Sequence, residues 1–193
     1  MEERVRHTPE ADTEFRIHVR DLVRRPGTHR EYSRDLTIVE ALGTEVIGVP
    51  LGAAATLNIQ CEAVTDGIWV SGTFAARAAG QCGRCLDEVH HDLEVPVQGL
   101  FVYPDAPHDE GDDADDVFEF DGESIDLEGV VRDAVVTSLP FTPLCEPDCP
   151  GLCDQCGARL ADDPDHAHEI LDPRWSALDS VKDSLRLSDK KES

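Results

Sequence analysis

The stretch TLNIQCEAVTDGIWVSGTF, residues 56–74, decides the fold class. Apolar and polar side chains alternate on both sides of Asp66-Gly67, which is the pattern of two half-buried strands. Asp-Gly is a dipeptide of tight hairpins, because both positions accept a positive φ. The stretch therefore predicts an antiparallel β-hairpin. Its predicted inward-facing residues are Leu57, Ile59, Cys61 and Ala63 on the first strand and Ile68, Val70, Gly72 and Phe74 on the second.

Alternating apolar residues predict further strands on both sides of this hairpin. Phe15, Ile17 and Val19 alternate with charged residues near the start of the chain. A longer strand is expected within 89–103, and a short one at 117–120. The predicted strands therefore occupy the first two thirds of the chain.

Two helices are predicted after the strands. The first covers about 126–139, with Ser124 or Asp126 as its N-cap and Pro140 at its end. The second covers about 173–187 and has an apolar stripe on one face. Strands first and helices after them predict an α+β domain with a few helices, built on an antiparallel β-sheet or a partly open barrel.

We expect this material to form one domain over residues 15–187. Residues 1–14 are predicted to be a flexible N-terminus, and residues 188–193 a short tail. The predicted parts of the domain include an acidic loop at 104–116, a cysteine-rich segment at 145–157 and the C-terminal helix at 173–187.

The chain is strongly acidic. Its 193 residues hold 17 Lys and Arg against 41 Asp and Glu, a formal charge of −24 at pH 7. Phosphate groups are repelled by such a surface, because binding to nucleic acids depends on Lys and Arg that displace counterions. The composition therefore disfavours indiscriminate binding to RNA, DNA or anionic lipid, and it favours a basic protein partner.

The sequence carries no visible signal for a membrane or for secretion. Residues 46–61 form the longest run without Asp, Glu, Lys or Arg, and they include Pro50 and two glycines. The first fifteen residues lack the apolar run of a secretory signal. We therefore expect the reducing cytoplasm, where clustered cysteines are metal ligands or redox groups before they are structural disulfides.

Positive charge is concentrated near the start of the chain. Residues 1–34 have a net charge of +1, whereas residues 35–193 carry −25. Within 15–34, six arginines stand against two acids. These arginines either belong to a solvated strand and turn or form the surface that contacts RNA. The candidate RNA-binding residues are Arg16, Arg20, Arg24, Arg25, Arg30 and Arg34.

An acidic segment follows later in the chain. Residues 104–128 contain twelve acids, and no Lys or Arg occurs between Cys85 and Val131. Self-repulsion with few apolar residues predicts a mobile loop over at least 104–116. This loop either keeps the protein soluble or docks a basic partner, such as a ribosomal protein that awaits assembly.

Six of the seven cysteines fall into two groups that are typical of zinc sites. Two thiolates two residues apart can bind one tetrahedral Zn²⁺, and two such knuckles complete a site of four sulfurs. Gly157 offers the permissive backbone that the turn after the last of these cysteines requires. One group is Cys82-x2-Cys85 in GQCGRCL, called the first knuckle, and the other is Cys145-x3-Cys149-x3-Cys153-x2-Cys156 in PLCEPDCPGLCDQCG, whose last two cysteines are the second knuckle.

The spacing leaves the grouping of these ligands open. In the simplest arrangement the two knuckles meet, so that zinc staples a hairpin tip to the C-terminal part as a zinc-ribbon-like element. In the alternative, the four cysteines of 145–156 form one local site, and the first knuckle finds other ligands, such as His166 and His168. Six Cys and two His are enough for two tetrahedral zinc ions. We expect one bound zinc, or two.

Signatures of catalysis are missing from the sequence. A thioredoxin-type CxxC starts a helix in a βαβ unit, whereas the first knuckle lies between two predicted strands. A zinc site filled by four thiolates leaves no open position for substrate. No GxSxG, HExxH, P-loop or GxGxxG motif is present. We therefore expect a protein that is not an enzyme.

The chain resembles the YceD-type family, the large ribosomal RNA subunit accumulation proteins of bacteria and plastids. The resemblance covers about residues 15–187, and the order of the segments is specific although each segment alone is not. The segments are FRIHVRDLVRRPGTHREY, CGRCLDEV, DLEGVVRDAVVTSLPFTPLC, CPGLCDQCGARL and DPRWSALDSVKD.

The resemblance implies a role in the synthesis, processing or stability of 23S ribosomal RNA in large-subunit assembly, with no established catalytic activity. It implies metal ligands in the two knuckles and RNA-proximal residues among the six arginines. Similar proteins usually have a further Cys-x-Cys where this chain has His166-Ala167-His168, a replacement that preserves metal-binding potential.

Two other functions stay open on the sequence alone. One is an acidic chaperone that shields a basic ribosomal protein and never contacts RNA. The other is a redox or metal-dependent enzyme that uses a CxxC motif and the histidine pair. DNA, a membrane and a small-molecule substrate are not expected as partners.

Overall fold

A computed structural model describes residues 14–106 and 117–168 of the chain. This part is mostly antiparallel β-sheet with one helix, in agreement with the predicted sheet. The described chain divides into two compact units at Pro147–Asp148. The elements of the first unit are β1 (Arg16–His18), β2 (His29–Thr37), β3 (Leu42–Gly43), β4 (Ile47–Val49), β5 (Ala54–Ala63), β6 (Gly67–Gln81), β7 (Glu88–Val102), β8 (Val117–Glu119), β9 (Ser124–Asp126) and α1 (Glu128–Ser138).

Seven strands form the main sheet of the first unit, in the order β2-β5-β6-β4-β3, with β7 on β6 and β8 on β7. The β6–β7 pair is antiparallel over fifteen residues on each strand, whereas β8 joins β7 in parallel over three. Strands β1 and β9 form a separate antiparallel pair. The long β6–β7 hairpin determines the position of the first knuckle, because residues 82–87 form its tip.

The predicted β5–β6 hairpin is confirmed, with Ala63 opposite Ile68. Its turn differs from the prediction. Neither Asp66 nor Gly67 has a positive φ. Gly67 is required for another reason, since a Cβ there would lie 2.1 Å from the carbonyl oxygen of Phe101 on β7. The Asp-Gly signal therefore found the correct turn for the wrong physical reason.

The core lies on one face of the main sheet. Of the eight residues predicted to face inward from β5 and β6, seven are buried and Gly72 is half-buried. Helix α1 packs on β7 and β3. It does so through an apolar stripe whose buried members are Val130, Val131 and Val135.

The boundaries of α1 refine the predicted helix of 126–139. Ser124 lies in β9 and does not cap the helix, whose N-cap residue is Leu127. The carboxylate of Asp126 accepts the Glu128 N–H at 3.0 Å, so it supports the first turn from one residue further out. Leu139 is already extended, as expected for the residue before a proline.

The sequence does not predict four of the strands. Strand β2 was not predicted, because its residues HREYSRDLT are mostly polar and exposed on an edge strand. The short strands β3, β4 and β9 have two or three residues each and carry no periodic signal.

Some predictions fall on residues that the structure does not describe. The N-terminal segment 1–13, most of the acidic loop at 104–116 and the whole helix of 173–187 lie outside the described residues. The single domain over 15–187 therefore stays a prediction. Within the described ranges, no helix has the length and apolar character needed to cross a bilayer.

Candidate functional site

The first knuckle is a tight turn between β6 and β7, as the sequence predicted. The Cys82 N–H donates to the Asp87 carbonyl at 2.7 Å, and the Leu86 N–H donates to the Cys82 carbonyl at 2.9 Å. This pattern places Leu86 in the left-handed region, with φ +64°. Both thiols of the knuckle are buried.

A group of four cysteines forms around this turn. The N–H of Gly83 donates to the Pro143 carbonyl at 2.8 Å, which draws the segment before Cys145 to the knuckle. The Sγ atoms of Cys85 and Cys145 lie 3.6 Å apart. The group is Cys82, Cys85, Cys145 and Cys149, and its four sulfur atoms lie within 4.8 Å of one another.

The second knuckle repeats the backbone of the first. The Cys153 N–H donates to the Ala158 carbonyl at 2.8 Å, and the Gly157 N–H donates to the Cys153 carbonyl at 2.9 Å. Gly157 has φ +71°, so the sequence-based reason for a glycine here is confirmed. A β-bridge between Leu152 and Arg159 closes the turn at its base.

Two histidines complete a second group beside this knuckle. The Nε2 atoms of His166 and His168 lie 2.9 Å apart, and each lies 3.2 Å from Cys156 Sγ. Asp163 Oδ2 lies 3.6 Å from His166 Nδ1, on the side of the ring away from the sulfur. The group is Cys153, Cys156, His166 and His168, again with ligand atoms within 4.8 Å of one another.

Both groups fit a tetrahedral zinc ion. Zn–S bonds of about 2.3 Å and Zn–N bonds of about 2.0 Å give tetrahedron edges of about 3.8 Å between sulfurs, about 3.5 Å between sulfur and nitrogen and about 3.3 Å between nitrogens. The Cys85–Cys145 distance and the three distances among Cys156, His166 and His168 are within about 0.4 Å of these edges, and the other ligand pairs lie within 4.8 Å. The donor sets, four thiolates in one group and two thiolates with two imidazoles in the other, are those of structural zinc sites.

Each knuckle favours the thiolate form of its leading cysteine. A hydrogen bond from the backbone N–H of Cys85 is the largest cause that lowers the pKa of Cys82 to about 6. The backbone N–H of Gln155 does the same for Cys153, whose pKa is also lowered to about 6. Thiolates are the metal ligands, so the turn prepares both sulfurs for a cation before one binds.

The observed grouping is neither of the two that the spacing left open. The two knuckles were expected to share one zinc, but each belongs to a different group. The cause is one long-range hydrogen bond: the Gly83 N–H donates to the Pro143 carbonyl, so Cys145 is the cysteine next to the first knuckle. The histidines, which lie ten or more residues after the second knuckle, join it and not the first.

The cysteine outside both groups, Cys61, lies in the core as predicted. It is fully buried on β5, and burial raises the pKa of its thiol to about 12. This thiol therefore stays protonated and unreactive at neutral pH.

Three candidate RNA-binding arginines pair with carboxylates. Arg20 forms an ion pair with Glu123, and Arg30 pairs with Asp21 at 2.9 Å. Arg24 donates to both carboxylate oxygens of its acidic partner at 2.8 Å each. All of these groups are exposed, so each pair contributes little to stability.

The partner of Arg24 is Asp105, in the acidic segment. The guanidinium group lowers the pKa of Asp105, and the carboxylate raises the pKa of Arg24. Arg24 also lies 5.2 Å from the centre of the Tyr103 ring. Asp105 follows Arg24 by 81 positions and Glu123 follows Arg20 by 103, so no local sequence pattern predicts these pairs.

The other three arginines face different surroundings. Arg34 donates to the Arg16 carbonyl at 2.8 Å, and so joins β2 to β1. The Nε atom of Arg16 is buried and has no hydrogen-bond partner among the described residues. Arg25 is exposed in the turn before β2. The six arginines therefore do not form one uniform basic surface.

Comparison with known proteins gives the family. Residues 70–182 match the family described as Large ribosomal RNA subunit accumulation protein YceD. The chain belongs to the YceD family. Both knuckles and all eight candidate metal ligands lie inside the matched range. The family description supports a role in ribosome biogenesis at the level of the family.

The similar curated proteins are named as uncharacterized proteins. Protein Rv2926c of Mycobacterium tuberculosis is 43% identical over 162 residues, which is 84% of this chain and 78% of that protein. ML1660 of Mycobacterium leprae is 36% identical over 157 residues, 81% and 72% of the two chains. YlbN of Bacillus subtilis is 23% identical over 135 residues, 68% and 74%. No solved structure gives a significant match.

Proposed function

We propose that this protein is a non-enzymatic assembly factor of the large ribosomal subunit, which supports the synthesis, processing or stability of 23S rRNA in the cytoplasm. The observation that carries the proposal is the pair of four-ligand groups in a chain of the YceD family. Each group supplies all four positions of a tetrahedral metal from the protein itself. Such a site stabilises a fold and leaves no position for a substrate.

Zinc is the metal that we propose for both groups. Thiolate and imidazole ligands at tetrahedral spacing suit Zn²⁺ better than the oxygen-preferring cations Mg²⁺ and Ca²⁺. The first group holds the tip of the β6–β7 hairpin against Cys145. We propose two zinc ions, the larger of the two numbers predicted from the sequence, with one in each group in place of a zinc-ribbon-like staple shared by the two knuckles.

The arginines of 16–34 are our candidate contact to the preribosomal RNA. Phosphate binding would exchange the exposed carboxylate partners of Arg20, Arg24 and Arg30 for phosphate oxygens. The cost of this exchange is small, because exposed ion pairs contribute about 0–1 kcal/mol each. Carboxylates that already occupy the arginines also disfavour indiscriminate RNA binding.

A second candidate function follows from the same ion pairs. If the arginines keep their carboxylate partners, the acidic surface of a chain with net charge −24 attracts a basic ribosomal protein and repels RNA. In this alternative the protein shields the basic client until assembly. The pairing of three of the six arginines with acids is the observation that favours it.

Depletion of the protein tests the main proposal. We expect mature 23S rRNA to fall relative to 16S rRNA, and the wild-type chain to restore the ratio. A chain with Cys82→Ser and Cys85→Ser should fail to restore it, whereas the matched surface change His90→Ala with His91→Ala should succeed. Unchanged rRNA ratios in depleted cells would overturn the proposal.

Charge reversal separates the two candidates. Arg24→Glu with Arg25→Glu changes two exposed residues, so we expect a folded protein. If RNA contact is direct, this variant loses association with preribosomal particles, and binding weakens steeply with salt in the wild type. Retained association together with capture of a basic ribosomal protein would favour the chaperone.

A further inference from the structure

The two metal groups differ in how far water can reach them. In the four-cysteine group, Cys82, Cys85 and Cys149 are buried and Cys145 is exposed. In the second group no ligand is buried, since Cys153 and His166 are half-buried and their two partners are exposed. A competing ligand can therefore approach a metal in the second group from solvent.

The second group also opens onto a cavity. The cavity has a volume of about 340 Å³ and is lined by three of the four ligands, Cys153, His166 and His168. This volume is large enough for several water molecules or for the donor groups of a small chelator. Ligand exchange can thus begin beside the metal without prior unfolding of the segment.

The donor sets differ in charge. Four thiolates around Zn²⁺ give a net charge of −2, whereas two thiolates and two neutral imidazoles give zero. Softer, charged thiolates hold zinc by stronger electrostatic attraction than neutral imidazoles do.

From these differences we infer that Cys153, Cys156, His166 and His168 form an exchangeable zinc site, which fills and empties with zinc supply while the four-cysteine site stays occupied. The inference rests on the proposed zinc sites and adds their order of occupancy. All four exchangeable ligands lie between residues 153 and 168. The second knuckle is therefore a zinc-responsive segment, and no strand of the main sheet supplies a ligand to it.

Zinc release from the full chain tests this order. Fully loaded protein is mixed with an excess of a chromogenic chelator, and the released zinc is followed over time. We expect two zinc ions per chain, released in two phases whose rates differ at least tenfold. The double variant His166→Ala, His168→Ala should bind one zinc and lose the fast phase.

Two further variants show whether the loss of the fast phase comes from the ligands themselves or from misfolding. His166→Cys with His168→Cys creates a four-thiolate set, and we expect it to keep two zinc ions and to slow the fast phase. His90→Ala with His91→Ala removes two exposed imidazoles of β7 and should leave both phases unchanged. If the variant His166→Ala, His168→Ala lost the slow phase of zinc release and kept the fast one, the order of the two sites would be reversed and the inference overturned.

A second measurement uses substoichiometric zinc. With one equivalent of zinc added to metal-free protein, we expect Cys82 and Cys85 to be protected from alkylation and Cys153 and Cys156 to react, as read by mass spectrometry. Equal protection at both knuckles, or release of two zinc ions in one phase, overturns the inference and leaves the two sites intact. Purified protein that binds no zinc overturns the sites as well.

Discussion

The two knuckles have the same backbone and different surroundings. In both, the leading cysteine donates to the carbonyl five residues on, and the residue after the second cysteine is left-handed. The first knuckle ends a fifteen-residue hairpin and has buried thiols, whereas the second lies in a short segment with accessible ligands. The CxxC motif therefore determines the conformation of the turn, whereas the surrounding chain determines how firmly the turn holds a metal.

Removal of the first knuckle should give the largest effect. Cys82→Ser with Cys85→Ser deletes two buried ligands, and structural zinc binding is worth about 10–16 kcal/mol in small zinc domains. If about a third of this is lost, about 3–5 kcal/mol, Tm falls by about 6–20 °C at about 2–4 °C per kcal/mol. Differential scanning calorimetry of the variant and the wild type measures this fall in Tm.

The matched variant for this prediction is Cys153→Ser with Cys156→Ser. We expect it to lose one zinc and to leave the main melting transition within about 2 °C of the wild type. Equal Tm losses in the two double variants would contradict the difference between the knuckles.

The pH dependence of zinc binding should be the next largest effect. The folded pKa of Cys82 and of Cys153 lies below the ordinary value of 9.0, at about 6. Their contribution to stability is therefore complete above about pH 9 and is lost as the pH falls through about 6. We expect zinc to stay bound at pH 7 and to be lost below pH 6, as measured by dialysis and elemental analysis. Loss that already begins at pH 8 would contradict the lowered pKa values.

Gly157→Ala tests the left-handed turn of the second knuckle. A Cβ there would meet no atom within 4 Å, so the change is disfavoured by φ alone. The left-handed conformation costs about 1–2 kcal/mol for a residue with a Cβ. We expect zinc affinity at the second site to fall roughly tenfold in a competition titration. Gly52→Ala, also left-handed and open, is the matched control and should leave zinc affinity unchanged.

Asp163→Asn tests the orientation of His166. Carboxylates that support a metal-bound imidazole contribute about tenfold or more to affinity. Because Asp163 lies 3.6 Å from Nδ1, we expect a loss of affinity at the lower end of that range. Asp165→Asn changes a nearby exposed acid and should have no effect on a competitive zinc titration. Equal losses in the two variants would indicate a general charge effect.

Leu86→Gly should give the smallest effect. Relief of the left-handed leucine gains about 1–2 kcal/mol, and the flexibility of glycine costs about 0.5–1 kcal/mol. We expect a rise in the free energy of unfolding of about 1 kcal/mol or less by chemical denaturation. A clear loss of stability would show that the half-exposed leucine side chain packs more firmly than its exposure suggests.

The sequence predicted the parts of this protein that repeat a simple period or motif. The alternation in 56–74, the apolar stripe of α1 and the two knuckles were all visible, because each depends on neighbours within a few residues. The contact of Asp163 with His166 could also have been predicted, since Asp163 lies three residues before that histidine. Strand β2 could not, because an exposed edge strand needs no apolar face.

The grouping of the metal ligands could not be predicted for a different reason. It depends on one long-range contact, between Gly83 and Pro143, which joins segments sixty residues apart. Spacing alone treats all six cysteines as equivalent partners. The ion pairs of Arg20 and Arg24, with acids 103 and 81 positions away, cannot be predicted from local patterns for the same reason.

The short contact between β7 and β8 leaves much of the outer edge of β7 without a strand partner among the described residues. An open edge of this length would invite a second molecule to add its own strand, and so lead to aggregation. Pro96 offers no N–H for such an addition, and Asp92 and Glu94 place negative charge beside it. The outer edge of β7 therefore disfavours the addition of a strand from a second copy of the chain.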